Sequence, residues 1–382
     1  MRFVAFSRHA LSLSVATLLI AGCGALQPPI GTPGAMPQSP ARLANDARER
    51  GPFLYMAQCC WPVFSNRGNI TIYDRGLSKV ALTITKRVSN PSVITVDRAG
   101  RIYMLSWLDY GQGVVEYDAG SDKMSRRIKL PYVWTATTDA SNNLYAAACP
   151  ACHLYVRGKG SINEYEAGTK TLLRTIKHGV DSPTALAFDT DQNLYVLNDN
   201  GSKTAVLVYA PGSSKPIRSI PQGFTTINAI ALDPSNHLFV IRSPVSGAAS
   251  VVEYKRDSNK ILRTITKGIQ SPQTMALDSS GTLYVSNTPY PSNGWVSVYV
   301  PGSSAPSYQI TSQMNDPQLL AIDRDGNLYV GNDYYAVALA RPETSSRNYG
   351  SVCIYGPKEK KPERCVPNEQ DSYPYSLAVK PR

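Results

Sequence analysis

The sequence predicts an all-β fold, a seven-bladed β-propeller of four-stranded blades that spans residues 53–382. The first observation is a Leu-Tyr-like pair that recurs seven times, with 42 to 50 residues between successive copies. The second is a further tyrosine that follows the pair in every copy. Repeats of this length, each with room for four short strands, are typical of propellers. The pairs end at Tyr55, Tyr103, Tyr145, Tyr195, Phe239, Tyr284 and Tyr329, and the second tyrosines are Tyr73, Tyr117, Tyr165, Tyr209, Tyr254, Tyr299 and Tyr355.

The composition agrees with a fold of many short strands. The chain has 27 glycines and 28 prolines without a Gly-X-Y period, which indicates frequent turns. Apolar residues make up 42% and charged residues 18%. These values exclude a disordered chain and a polytopic membrane protein.

The fourth copy illustrates the four predicted strands, which are residues 185–188, 194–198, 205–210 and 216–220. An aspartate follows the first strand in six copies and opens a turn. Such a row of carboxylates could suggest a metal site. A repeated turn cap is the simpler interpretation, because each carboxylate can accept backbone N–H bonds and the turns lie on different blades. The six are Asp97, Asp139, Asp189, Asp233, Asp278 and Asp323.

The two ends of the repeat region are predicted to complete one blade together. The first copy begins at residue 53 and has no room for a first strand. Residues 375–379, near the C-terminus, form a spare strand with the sequence YSLAV. Pairing this strand with the first copy closes the ring and leaves no open sheet edge.

The N-terminus is predicted to be a targeting segment. Two arginines precede a short apolar run at residues 10–22, which is too short for a comfortable permanent span. The run ends in Leu19-Ile20-Ala21-Gly22-Cys23, which resembles the bacterial lipobox. The resemblance implies a diacylglycerol thioether on Cys23, cleavage of a signal peptide at residues 1–22, and a membrane anchor. An ordinary secretory signal is the alternative.

Several expectations about location follow from this segment. Residues 23–52, rich in Pro, Ala and Gly, are predicted to be a flexible tether from the membrane. Gly24 rather than Asp after the cysteine favours the outer membrane of a bacterial envelope, with the propeller facing the periplasm or the cell surface. The net charge is +11, and loss of the two arginines in residues 1–22 gives +9. This basic charge suits anionic lipid or acidic glycan, although a solubilising surface is the simpler interpretation.

Aromatic residues outside the repeat positions indicate a ligand-binding face. They lie in the loops between second and third strands, or at the start of first strands, and these share one end of the propeller. Tyrosine and tryptophan combine flat apolar area with a polar tip, which suits sugars or extended peptides. The alternative is that they seal the long loops onto the blades. The candidate ligand-binding residues are Trp61, Trp107, Trp134, Tyr334, Tyr335 and Tyr375.

The residues predicted to lie nearest the propeller axis contain no carboxylate. They are Ser92, Trp134, Thr184, Asn228, Gln273, Gln318 and Tyr375. Metal-dependent lactonases of the gluconolactonase type resemble this fold, but they hold a divalent ion with axial Glu, Asp and Asn residues. Asn198, Asn287 and Asn332 are the available asparagines, and loop capping explains them more simply. We therefore predict no metal, with calcium as the alternative.

Six cysteines besides Cys23 are predicted to form disulfides, because an even count in an exported protein favours them. Cys353 and Cys365 are expected to bridge the third and fourth strands of blade seven. Cys59, Cys60, Cys149 and Cys152 occupy matching loops and could close locally or with each other. Cys149, Cys152 and His153 also match the C-x-x-C-H pattern for covalent haem. A disulfide is preferred there, since haem motifs normally open a helix and strands flank this one.

The repeats over residues 53–382 resemble NHL-type and YVTN-type propeller repeats of bacterial lipoproteins. The resemblance is specific for the architecture and weak for function. The sequence favours a membrane-anchored binding or scaffold module without a catalytic residue or cofactor, acting as a monomer on an envelope glycan or protein segment. The alternative is a propeller enzyme or redox protein, either a lactonase-like hydrolase or a haem carrier. No sequence feature suggests a nucleic-acid partner.

Overall fold

Seven four-stranded antiparallel sheets form the described part of the chain, as predicted. The structure, a computed structural model, describes residues 54–60, 68–74, 76–106, 113–150, 152, 158–199, 204–223, 225–244, 247–289, 292–332, 350–367 and 372–380. Blade one contains β1 (Leu54–Cys60), β2 (Gly68–Tyr73), β3 (Val80–Ile84) and the last strand of the chain, β28 (Ser372–Val379).

The other six blades each use four consecutive strands. Blade two has β4 (Pro91–Val96), β5 (Ile102–Ser106), β6 (Val114–Tyr117) and β7 (Met124–Ile128). Blade three has β8 (Val133–Thr138), β9 (Leu144–Ala148), β10 (Ser161–Tyr165) and β11 (Leu172–Ile176). Blade four has β12 (Pro183–Phe188), β13 (Leu194–Asn198), β14 (Thr204–Tyr209) and β15 (Arg218–Gly223).

Blades five to seven repeat this order. Blade five has β16 (Thr225–Leu232), β17 (Leu238–Pro244), β18 (Ser250–Tyr254) and β19 (Ile261–Ile265). Blade six has β20 (Pro272–Leu277), β21 (Leu283–Asn287), β22 (Trp295–Tyr299) and β23 (Tyr308–Ile310). Blade seven has β24 (Pro317–Ile322), β25 (Leu328–Asn332), β26 (Ser351–Tyr355) and β27 (Arg364–Pro367).

The first strands of the blades surround the axis, since each of them contacts the first strands of the two neighbouring blades. The predicted closure is confirmed, and β28 fills the first-strand position of blade one. Its residues pair with β1 from Leu54↔Val379 to Cys60↔Ser372. It also contacts β24 and β4, so the innermost strands form an unbroken ring.

The repeated tyrosines form much of the core between blades. In blades two, four, six and seven the second tyrosine is buried, and its hydroxyl donates to a backbone carbonyl oxygen just after the outer strand of the preceding blade. The Oη–O distance is 2.7 Å from Tyr209 to His178, from Tyr299 to Lys267 and from Tyr355 to Ser312. Phenylalanine would fill the same space without this hydrogen bond, which explains why the chain uses tyrosine there.

The six aspartates cap the turns between first and second strands, as the sequence predicted. The Oδ1 atom of Asp139 accepts the backbone N–H groups of Ser141 and Asn143, both at 2.8 Å. Its Oδ2 atom accepts from the Asn143 side chain at 2.9 Å. Corresponding backbone hydrogen bonds occur at the other five aspartates.

Neighbouring turns are also joined to each other by hydrogen bonds. The backbone N–H of Thr190 in blade four donates to Asn236 Oδ1 of blade five at 3.0 Å, and Asn236 Nδ2 donates to Thr190 Oγ1 at 2.7 Å. Asn236 has a φ of 63°. Glycines with positive φ occupy the same turn position elsewhere, at Gly100, Gly281 and Gly326. Asn236 therefore adopts a backbone conformation that favours glycine because its side chain connects two blades.

Replacing Asn236 by glycine is expected to destabilise the propeller by about 1–2 kcal/mol, because two largely buried hydrogen bonds are lost while the backbone conformation stays allowed. Urea unfolding followed by circular dichroism measures the change. Ser235→Gly is the matched control, since Ser235 is exposed and lies in the same turn. Equal destabilisation by both variants would show that chain flexibility, and not the connection between blades, causes the effect.

Candidate functional site

Two of the six predicted binding aromatics lie on innermost strands. Trp134 is the second residue of β8, and Tyr375 is the fourth residue of β28. Both side chains are half-buried. The other four candidates, Trp61, Trp107, Tyr334 and Tyr335, lie outside the described residues. The structure therefore brings Trp134 and Tyr375 to equivalent places around one axis.

A β-bulge occurs at the same place in the first strand of every blade. In β8 the pairing with β9 passes from Val133↔Ala148 to Thr135↔Ala147, which leaves Trp134 as the extra residue. In β28 it passes from Ser376↔Ala57 to Pro374↔Gln58, which leaves Tyr375. The register shifts of the other five strands fall at the remaining five predicted axial residues, Ser92, Thr184, Asn228, Gln273 and Gln318.

We call these seven residues the bulge ring. Each lies near the start of an innermost strand, at the end of the propeller that carries the loops between second and third strands. We call that end the loop face. A bulge re-aims a side chain and interrupts the regular ladder, and bulges are over-represented next to functional sites. The same bulge therefore recurs in the first strand of all seven blades.

Unusual backbone conformations lie two residues before the bulge ring in five blades. Ser182, Ser271, Asp316, Asn90 and Tyr132 have φ values between 41° and 55°. In four of the five blades the next residue is proline, which normally holds its predecessor in an extended conformation. Such conformations are costly for residues other than glycine and tend to occur at functional sites. The sequence signal for this conformation is a polar residue before proline, at positions 90, 182, 271 and 316.

The described side chains of the bulge ring are neutral, and part of their hydrogen-bonding capacity is used locally. Ser92 Oγ donates to Leu105 O at 3.2 Å, and Gln273 Nε2 donates to Thr288 Oγ1 at 3.0 Å. Gln318 Nε2 donates to the Asp316 carboxylate at 3.1 Å.

Trp134 and Thr184, which belong to the neighbouring blades three and four, each have a side-chain polar atom without such a hydrogen bond. Trp134 Nε1 and Thr184 Oγ1 are buried atoms without a hydrogen-bond partner among the described residues. An unsatisfied buried polar atom costs about 1–3 kcal/mol, so these two positions carry a local energetic cost. Both unsatisfied atoms lie in the sector of blades three and four.

The Cys149–Cys152 disulfide borders this same sector. The bond is local, with a Cα–Cα distance of 5.1 Å, so these two cysteines do not pair with Cys59 or Cys60. Cys152 Sγ lies 3.3 Å from Ser182 Oγ, and Ser182 Oγ accepts the Gly158 N–H at 3.0 Å. The disulfide therefore packs against Ser182, two residues before the bulge residue Thr184 of blade four.

Cys353 and Cys365 form the second predicted disulfide, across β26 and β27, with a Cα–Cα distance of 4.0 Å. The backbones of Cys59 and Cys60 end β1, and their side chains lie outside the description. The pairing of Cys59 and Cys60 stays a prediction. A covalent haem would need the two Sγ atoms that the Cys149–Cys152 bond uses, and His153 is outside the described residues.

The strand-end asparagines cap loops, which is the interpretation that the sequence favoured. Asn287 Oδ1 accepts the Gln270 N–H at 2.7 Å. Asn332 Oδ1 accepts the Asn315 N–H at 3.1 Å, and its Nδ2 donates to Gln313 O at 3.1 Å. These side-chain oxygens are thus engaged by the loops that lead into the first strands of their own blades.

Among the described residues, Asp233, His237 and Glu253 form one group whose ligand atoms lie within 4.8 Å of one another. His237 Nδ1 is 3.1 Å from Asp233 Oδ2 and 3.4 Å from Glu253 Oε1. Arg263 already pairs with Glu253. In blade three the equivalent of His237 is Asn143, whose Nδ2 makes the corresponding bond to Asp139. We therefore assign His237 the turn-capping role of that asparagine.

The part of the chain that the structure describes contains no helix long and apolar enough to cross a membrane. No protein-family model and no curated protein matches the chain. Among solved structures, the chain is similar to Kuenenia stuttgartiensis hydrazine synthase, with a TM-score of 0.60 and 14% identity. The match covers 81% of this chain and 96% of that chain. At this identity the similarity shows the propeller fold alone.

Proposed function

We propose that the protein is a lipid-anchored binding module of the bacterial cell envelope, and that an envelope glycan or protein segment binds at the bulge ring on its loop face. The observation that carries the proposal is the bulge that recurs in all seven innermost strands at the same register. Propellers of this size also serve as enzymes and scaffolds, so the argument depends on the site and not on the fold.

The chemistry of the bulge ring supports a neutral polar ligand. Its seven residues include two aromatics, Trp134 and Tyr375, and hydroxyl and amide side chains, but no carboxylate or cation. Flat aromatic area packs against sugar faces or peptide side chains, and hydroxyls and amides form hydrogen bonds with either. Because the ring carries no charged side chain, it would select its ligand by shape and hydrogen bonding. The net positive charge of the protein would then not decide which ligand binds.

The location is part of the proposal and is supported by the sequence. The lipobox-like segment at residues 19–23, the Pro/Ala/Gly-rich tether and the resemblance to NHL-type or YVTN-type lipoproteins all favour an anchored envelope protein. The disulfides are those of an oxidising compartment. We propose the outer membrane as the site of anchoring, with the propeller on its periplasmic or external side and acting as a monomer.

Replacing Trp134 or Tyr375 of the bulge ring by alanine is expected to weaken binding by about 1–4 kcal/mol, the usual cost of removing an aromatic anchor. Trp134→Phe retains most of the apolar area and removes Nε1–H, so we expect a smaller loss. Binding is measured by co-sedimentation with purified peptidoglycan and by recovery of partners from solubilised envelope. Melting temperatures of all variants are recorded in parallel.

Trp295→Ala is the matched control, because Trp295 lies at the start of β22 on the same face but outside the ring. Its Nε1 is satisfied by Ser297 Oγ at 3.0 Å. If Trp134→Ala and Tyr375→Ala lower the melting temperature and leave binding by the folded fraction unchanged, these aromatics only seal the structure. The haem alternative is tested separately by the visible spectrum of the purified protein. A Soret band would support covalent haem and overturn the binding proposal.

A further inference from the structure

Aliphatic side chains are exposed on the outer edge of three consecutive blades. Among the described residues, seven large hydrophobic side chains are exposed, and five of them lie on or beside the outer strands of blades three, four and five. Their exposed fractions lie between 43% and 59%. We call this surface the outer sector, and its aliphatic residues are Leu172, Leu173, Ile217, Ile261 and Leu262.

The outer sector is one continuous surface, because the outer strand of each blade is bonded to the next blade. Arg174 of β11 donates from Nη1 to Ser213 O, in the turn before β15, at 2.7 Å. Asn259, in the turn before β19, donates from Nδ2 to Ser219 O of β15 at 2.9 Å. The exposed aliphatic residues of the three blades are therefore held in a fixed relation.

The outer sector carries more positive than negative charge. The arginines of β11 and β19 are turned inward and pair with Glu164 and Glu253. The exposed lysines make no ion pair with any described residue. They are Lys170, Lys177, Lys215, Lys255, Lys260 and Lys267.

The outer strands β11, β15 and β19 contain no carboxylate. Asp257, in an adjoining turn, is neutralised by Arg218 and Arg256. Glu166, in the turn before β11, bonds to Thr169 and is the acidic exception. Among the described residues of this sector, six lysines without an ion pair therefore stand against one carboxylate without an ion pair, that of Glu166.

We propose that the outer sector binds an anionic lipid surface, with its aliphatic side chains among the headgroups and its lysines on lipid phosphate. Exposed aliphatic residues interspersed with lysine are the composition of interfacial membrane-binding surfaces. Lysine alone would only protect the edge strands from pairing with another sheet. Exposed aliphatic side chains do not contribute to that protection. Their contact with water is unfavourable, so burial against an apolar partner would stabilise them.

A lipid surface fits the outer sector better than an added peptide strand. A peptide that extends one sheet would pair with a single edge strand, whereas the exposed aliphatic residues belong to three separate blades. A broad surface can contact all three at once. The propeller would then lie on its side, which leaves the bulge ring at the loop face free for its ligand. This inference goes beyond the proposed function and does not depend on lipid at Cys23.

The test uses the chain from residue 23 with Cys23→Ser, which contains the complete ring of blades. It is sedimented with phosphatidylcholine vesicles with and without phosphatidylglycerol. We expect binding at least tenfold stronger with the anionic lipid, lost in high salt. Lys170→Gln combined with Lys260→Gln should weaken binding about tenfold or more, because each lysine near an anionic surface contributes substantially. Leu172→Ser combined with Leu262→Ser should weaken it on both vesicle types.

The control is Lys358→Gln combined with Lys361→Gln, which removes the same charge from exposed positions of blade seven. We expect it to change binding less than threefold. The inference is overturned if the chain shows no preference for anionic vesicles, or if the control weakens binding as much as the sector variants. It is also overturned if light scattering shows that the sector variants act by dispersing oligomers of the chain.

Discussion

Deletion of residues 372–382 is expected to abolish cooperative unfolding of the propeller. The deletion removes β28, which pairs with β1 along seven residues and contacts the innermost strands β24 and β4 on either side. Leu377 is fully buried among residues of blades one and seven, and Ala378 is buried between blades one and two. The Ser376 hydroxyl accepts the Ile94 N–H at 3.1 Å, which joins blade one to blade two.

The magnitude follows from comparing these losses with the stability of an ordinary protein. Truncating one buried leucine costs about 2–5 kcal/mol, and a native protein is stable by only about 5–15 kcal/mol. The deletion removes a whole strand and also exposes the edge of β1, which promotes aggregation. Circular dichroism during heating and size-exclusion chromatography measure the outcome. Deletion of residues 381–382 alone is the control, and a truncated protein that melts like the parent would falsify closure by overlap.

Replacing Cys23 by serine is expected to move the protein almost completely from the membrane fraction to the soluble fraction. The lipobox-like residues 19–23 predict a thioether-linked diacylglycerol on the Cys23 sulfur, which serine does not provide. Two acyl chains anchor a protein stably, because each buried CH₂ contributes about 0.8 kcal/mol. The precursor should also remain uncleaved before residue 23.

Fractionation after a high-salt wash, with mass spectrometry of the N-terminal peptide, checks this prediction. The salt wash removes protein that is held only by charge on the outer sector, so the two membrane contacts are distinguished. Cys60→Ser, which removes a cysteine outside the lipobox, is expected to stay with the membrane. Retention of Cys23→Ser after the wash, or an N-terminal peptide without acyl mass in the parent, contradicts the anchor.

The repeats predict which residues of the candidate site lie near the axis, but they do not predict the backbone geometry of those residues. Alignment of the copies located Trp134, Thr184 and Tyr375 at one position near the axis. It did not show that this position is a bulge, because a bulge is a register shift against a partner strand. The unsatisfied Trp134 Nε1 and the positive φ of Ser182 are likewise properties of the assembled backbone. Four of the six binding aromatics are not described, so their shared face stays a prediction.

The repeat pattern is enough to predict the number of blades, the strand order, the closing strand, the aspartate turn caps and the Cys353–Cys365 bridge. The blade number and strand order follow from the period, and the closing strand follows from the strand that the first copy lacks. The turn caps and the bridge follow from neighbours within one hairpin. The contacts between neighbouring blades and loops could be seen only in the folded structure. It selected the local Cys149–Cys152 bond over exchange with Cys59 or Cys60, and it formed the tyrosine and asparagine connections between neighbours. It also left the aliphatic residues of the outer sector uncovered, because the outer strand of a blade has no further strand to pair with.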